Sequence, residues 1–103
     1  MAAAMKVIIT EAAYDDLLRI GRYIKHDNPR RAESFVAELH ERCQRLGDMP
    51  RAWPLLPNWE DHGVRRRVYG SYLIFYKIGS DAVEVLHILH GATDYEKVLF
   101  PEG

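Results

Sequence analysis

The residue types able to do chemistry gather in the last third of the chain. Arg65-Arg66-Arg67 is the densest positive cluster, and His87 and His90 stand three residues apart in Val85-Leu-His-Ile-Leu-His90. An imidazole titrates near neutrality, so either histidine could act as a general acid or base; the alternative is a hydrogen-bonded histidine at a sheet edge. As metal ligands they fit poorly, because residues three apart on a strand point to opposite faces, and no metal site is expected. In an extended strand Arg65 and Arg67 share one face and Arg66 takes the other. Their guanidinium groups could grip phosphates or an acidic peptide, or their stems could simply cover apolar surface. Arg30-Arg31, in the first turn of a helix, opposes the helix dipole at small cost and hints at a partner contact. Cys43 falls on an apolar stripe and reads as a small buried hydrophobe rather than a catalytic thiol.

Signatures of the common enzyme classes do not occur: there is no phosphate-binding loop, dinucleotide fingerprint, zincin helix or nucleophile elbow. No organic cofactor is implied. The 103 residues carry a net charge of −1, so no global basic field argues for nucleic acid, and any such argument rests on local clusters. No run approaches the roughly 18 apolar residues of a transmembrane helix, and a lone cysteine fits a reducing compartment. The expected location is the cytoplasm. Residues 1–103 suit a single domain, in which Met1–Ala4 reads as a disordered or non-native extension before a start near Met5.

Certain elements must position these groups. Lys6-Val-Ile-Ile-Thr10 is a short strand, and Thr10 caps a helix from Glu11 to about Lys25 or His26 whose stripe is Ala13, Leu17, Ile20 and Ile24. Asn28-Pro29 ends it and starts a second helix with the stripe Ala32, Phe35, Val36, Leu39, Cys43 and Leu46, closed by Gly47 as a C-cap. The two form an antiparallel helical hairpin. Asp48–Gly63 is a long loop rich in Pro and Trp. Three runs separated by Tyr69-Gly70-Ser71 and Gly79-Ser80-Asp81 then read as an antiparallel meander, and Asp94–Phe100 can add a helical turn. The class is α+β: a strand, a helical hairpin, then a three-stranded antiparallel meander, with both helices on one sheet face.

The middle strand of the meander is apolar on both sides. Tyr72, Ile74, Tyr76 and Ile78 share one face; Leu73, Phe75 and Lys77 share the other. Two helices readily cover only one face, so Leu73 and Phe75 are expected on an open partner surface unless the Trp-containing loop folds over them.

With the order of elements, Arg67-x-x-x-x-Tyr72-x-Ile74-x-Tyr76 and Val85-Leu-His-Ile-Leu-His90-Gly-x-x-Asp94 closely resemble the RelE/ParE superfamily of toxins, from about Met5 to Phe100. These are the toxin halves of type II toxin–antitoxin modules, also described as plasmid stabilisation proteins. The resemblance implies one of two activities. RelE-like members cleave messenger RNA at the ribosome without metal; ParE-like members poison DNA gyrase. The nuclease pattern has arginine after the first tyrosine, where this chain has Leu73, and another after the last strand, where it reads Gly91-Ala92-Thr93. Those cations would stabilise the phosphorane-like transition state, so their replacement points to the ParE-like branch. For the nuclease alternative the candidates are Arg67 (or Arg66), His87, His90 and Tyr95. A further alternative is an inactive member that only binds antitoxin. The resemblance also implies an antitoxin whose disordered C-terminal segment folds onto the toxin in a hetero-oligomer, with Arg65, Arg66, Arg67, Leu73, Phe75, Arg30 and Arg31 as candidate contacts.

Overall fold

Strand β1 (Lys6–Ile9) leads through Thr10 into α1 (Glu11–Asp27), and α2 (Pro29–Gln44) follows after one residue. The computed structural model describes residues 4–102. For residues 1–3, the expected N-terminal extension lies outside the described residues. The two N-caps are those read from the sequence. Thr10 accepts the Ala13 N–H at 3.2 Å, and the Asn28 side chain accepts the Arg31 N–H at 3.1 Å with Pro29 at the first helical position.

Gly47 has a different role from the expected C-cap. Helix α2 ends at Gln44, and a 3-10 turn carries the chain over Arg45–Gly47. Met5 donates its N–H to the Gly47 carbonyl at 2.8 Å, and a Cβ on Gly47 would lie 2.1 Å from the Met5 carbonyl oxygen. Glycine is required there by the close approach of the chain that enters β1.

The meander consists of β2 (Val64–Tyr69), β3 (Tyr72–Ile78) and β4 (Ala82–His90), followed by α3 (Tyr95–Leu99). The sheet is four-stranded and mixed, in the order β1-β4-β3-β2, with β1 parallel to β4 from Lys6↔Ala82 to Ile9↔Val85. This corrects the picture of a purely antiparallel sheet. A parallel neighbour requires a long crossover, and the helical hairpin with the following loop and β-hairpin supplies it. The pairing of β3 with β4 shifts between Phe75↔His87 and Tyr76↔Val85, leaving Leu86 as a bulge. The bulge changes the alternation along β4, so that Val83, Val85 and Ile88 all join the core beneath the helices.

Two cores result, one on each sheet face. Leu17, Ile20, Leu39, Cys43 and Leu46 pack on Ile74, Tyr76, Val83, Val85 and Ile88. Leu56, Val64, Leu73, Phe75 and Leu89 form the second, against which Trp59, Tyr95, Leu99 and Phe100 pack. The face expected to be open is therefore covered: Leu73 is 9 % exposed and Phe75 fully buried. The physical reason is a long-range aromatic clasp, in which the Trp59 ring stacks on Phe100 at 4.1 Å and 8° and the Trp59 indole N–H donates to the Glu96 carboxylate. The long loop also shields the outer edge of β2, with Leu56 N–H bonded to the Val64 carbonyl (2.8 Å) and Arg66 N–H to that of Pro54 (3.1 Å).

Candidate functional site

Strand β1 pairs with β4 only as far as Val85, whereas β4 continues to His90. From Leu86 onward, the side of β4 away from β3 has no strand neighbour, and α1 takes over part of that role. Thr10 donates its backbone N–H and its hydroxyl to the Val85 carbonyl at 3.1 and 2.7 Å. Nearly two turns further, Asp16 accepts the Ile88 backbone N–H at 2.9 Å.

Asp16 is the one charged residue buried among the described side chains, at 1 % exposure. Its oxygens are fully engaged: Oδ2 takes His87 Nδ1 at 2.8 Å as well as the Ile88 N–H, and Oδ1 takes Arg19 Nη1 at 2.9 Å. A buried carboxylate is tolerable only with such partners. The bond fixes the His87 tautomer, since a ring that donates Nδ1–H to a carboxylate leaves Nε2 as an acceptor. His90 is held the other way, with Nδ1 accepting the Ala92 N–H at 3.0 Å, so that neutral His90 carries its proton on Nε2.

Asp16 is the functional side chain that sequence reading missed. A signal existed: Asp16 lies three residues after Ala13 and four before Ile20, on the buried stripe itself. A carboxylate at a core-facing position needs a partner from elsewhere in the fold.

These groups line a groove of about 680 Å³ between α1, the end of β4 and the segment around α3. Its walls include Ile20, Tyr23, Tyr72 and Val98, and both histidines border it. His87 pairs across the sheet with Phe75 and His90 with Tyr72, so the two do alternate faces. They meet the same groove because it runs along the strand's edge. A second hollow of about 450 Å³, bordered by Arg31, Phe35 and Gly70, shares Tyr23, Tyr72 and His90 with the first. Burial, then the nearby Tyr23, raises the Tyr72 phenol above its ordinary pKa. Among the described residues no group of three or more His, Cys, Asp or Glu side chains gathers as a metal site would require.

The three consecutive arginines each find a partner inside the molecule. Arg65 Nη1 donates to the Trp53 carbonyl at 2.7 Å, Arg66 Nη1 to the Tyr95 hydroxyl at 3.1 Å, and Arg67 Nη1 to the Arg42 carbonyl at 3.3 Å. The Arg67 guanidinium also lies 4.5 Å from the centre of the Trp53 ring. Burial, then Arg42 and Arg45, lowers its pKa. Thus Arg65 ties down the loop, Arg66 ties down α3, and Arg67 joins α2 to the loop.

The four nuclease candidates are not brought together. Arg67 sits beside Ile74 in the register, on the helix-covered face, whereas Tyr95 packs on Phe75 at 5.1 Å on the other. Only His87 and His90 share a cavity. Leu73 and Phe75 lie beneath the loop and α3 and offer no free contact surface. Arg31 is held by Glu38 at 2.6 Å and lies over Phe35, while Arg30 is exposed at the hairpin turn. The Arg31 bond, then one from Tyr69, holds the Glu38 carboxyl below the usual range.

The family model described as the ParE toxin of the type II toxin–antitoxin system, parDE, matches residues 7–95. Among solved structures, the chromosomal ParDE toxin–antitoxin system from P. aeruginosa aligns with a TM-score of 0.74 at 20% identity, covering 84% of this chain and 96% of that one. The toxin–antitoxin complex RelBE2 from Mycobacterium tuberculosis aligns at 0.64 and 24% identity, covering 85% of this chain and 99% of that one. At these identities the likeness is one of fold. No curated protein sequence matches.

Proposed function

This chain belongs to the ParE toxin family of type II toxin–antitoxin systems, and from that premise we propose that it inhibits DNA gyrase in the cytoplasm once released from a cognate antitoxin. The observation that carries this reading is the state of the face opposite the helices. Leu73 stands where the RNA-cleaving pattern has an arginine, and it is buried with Phe75 under the loop and α3. Arg66, the cation on that face, is spent on the Tyr95 hydroxyl. An in-line attack on a phosphodiester needs cations aimed at the developing charge, and this face offers a packed core instead. Action by binding fits such a surface better than action by catalysis.

The antitoxin then meets what remains uncovered. On α1, Tyr14, Leu18 and Tyr23 are 49%, 59% and 73% exposed, an unusual amount of large apolar side chain for one helix. A segment that folds on binding could cover this hairpin and the groove beside it, yielding a hetero-oligomer. The test is induced expression of the chain with and without its antitoxin, followed by plasmid topology and messenger RNA integrity in the same cells. Arrested growth with relaxed plasmid and intact messages, reversed by the antitoxin, supports the reading. Arrest with fragmented messages and normal supercoiling refutes it.

A further inference from the structure

We propose that the patch where the end of α2 meets β2 and the long loop binds the backbone phosphates of DNA, with Arg42, Arg45 and Arg67 as its cations. It rests on the reading of the chain as a gyrase inhibitor and adds that the toxin grips the DNA of the gyrase–DNA complex as well as the enzyme.

Three guanidinium groups gather there from two parts of the chain. Arg42 lies in the last turn of α2 and Arg45 just beyond it; Nη1 of the one and Nε of the other reach the same Glu41 oxygen, at 3.5 and 3.3 Å. Arg67 arrives from β2 and bonds the Arg42 carbonyl. Burial, and then the charges of Arg42 and Arg45, lowers the Arg67 pKa, as happens when like charges are held close together. The neighbouring acids do not balance them. Glu38 is taken by Arg31 and by the Tyr69 hydroxyl, at 2.6 Å each. Glu41 alone faces the three cations, which leaves two positive charges over.

A helix C-terminus favours a nearby cation, but one would serve. The Arg42 carbonyl takes Arg67, and the carbonyls of Glu41 and Cys43 take the Arg45 backbone N–H. The side chains of Arg42 and Arg45 are not needed to close the helix, and they are 28% and 63% exposed. Two of the three guanidinium groups are braced on rings: Arg42 lies 5.0 Å from the centre of Tyr69 and Arg67 4.5 Å from that of Trp53. Bracing reduces the freedom lost when the group grips an anion.

Shape selects a nucleic-acid backbone over an acidic protein segment. None of the three arginines lines either hollow described above, so the patch has charge without pockets beside it. Peptide recognition relies on such pockets. Phosphates need only forks of N–H donors, and contacts to them hold a duplex in place without reading its bases.

The probe is a duplex of twenty base pairs, titrated into 15N-labelled toxin freed of antitoxin, in about 0.1 M salt, and followed by NMR. Shifts are expected at the Arg42, Arg45 and Arg67 side chains whatever the base sequence, with log affinity falling against log salt at a slope of about −2.7 for three phosphates. Arg42→Glu and Arg45→Glu should each weaken binding about eightfold or more, the gain from one released counterion at that salt. Arg30→Glu makes the same change of charge about 18 Å away along α2 and should weaken it about twofold at most. Circular dichroism verifies that the variants stay folded. The site is overturned if the three side chains do not shift, if Arg30→Glu weakens binding as much as Arg45→Glu, or if polyglutamate of equal charge binds as well as the duplex. That last result would make the patch a protein contact. Gyrase takes no part in this measurement, so the two readings fail separately: DNA binding without gyrase inhibition refutes the function, and gyrase inhibition without DNA binding refutes the site.

Discussion

Removing the Asp16 carboxylate is the sharpest way to perturb the junction between α1 and β4. Three donors converge on it, all between 2.8 and 2.9 Å, and the side chain is 2% exposed. Asp16→Ala leaves the Ile88 N–H buried without an acceptor, and an orphaned buried donor costs about 1–3 kcal/mol. It also removes the anion from His87 and Arg19, and breaking a buried pair from one side costs about 3–5 kcal/mol in comparable cases. Arg19 can turn to water, so the lower part of that range applies, and we predict a loss of about 3–4 kcal/mol. Domains of this size are stable by only about 5–15 kcal/mol, so the variant should unfold at a much lower urea concentration. Asp16→Asn is the control. Its amide oxygen, set where Oδ2 lies, still accepts from both the Ile88 N–H and His87 Nδ1, and only the bond from Arg19, which can turn to water, is lost to the amide NH2, so the loss should be about 1–2 kcal/mol. Equilibrium urea unfolding followed by circular dichroism measures both, with unchanged slopes showing that the transition itself is the same. If Asp16→Ala lost less than about 1 kcal/mol, or no more than Asp16→Asn, the carboxylate would not be the fastening inferred from its contacts.

Three further outcomes follow from the packing. Cys43 is fully buried and burial pushes its thiol up to about 12, so a thiol reagent at pH 8 should label it only at the rate of unfolding, and rapid labelling of the native chain would contradict the core. Burial likewise pushes the Tyr76 phenol up to about 12, and its hydroxyl donates to the Pro50 carbonyl at 2.6 Å. An unfolded tyrosine ionises near pH 10 while the native one keeps its proton, so this contribution is intact below about pH 10 and is lost as pH rises towards about 12; Tyr76→Phe should flatten that part of the alkaline stability profile. Phe75→Ala should cost about 3–5 kcal/mol in the same urea experiment because the ring is fully buried, and a near-neutral result would mean that α3 and the loop do not cover it.

How much of this was legible in the sequence differs from element to element, for reasons of range. The helical hairpin was readable because its caps and stripes are local: Thr10, Asn28 and Pro29 act on residues within a turn. The meander was readable from its turns. The parallel placement of β1 was not, because four residues carry no mark of which strand they will join across the hairpin. Coverage of Leu73 and Phe75 by the Trp-containing loop stood as the alternative to an open face, and the sequence did not decide it, because it depends on Trp59 meeting Phe100 and Glu96 at the far end of the chain. The arginine run was seen as a cluster of charge, and its internal bonds to Trp53, Tyr95 and Arg42 could not be. At the site, His87 and His90 were singled out by type, but the residue that orients His87 was hidden in α1, about 70 positions away.

The most direct test of the proposed function is a purified assay of DNA gyrase supercoiling and DNA cleavage, run beside a ribosome-dependent messenger RNA cleavage assay with the same preparation. The account predicts inhibited supercoiling or accumulated cleaved DNA, reversed by the antitoxin, with the message left intact. Codon-positioned cuts in the message with gyrase unaffected would contradict it, and would return attention to the two histidines that border the groove.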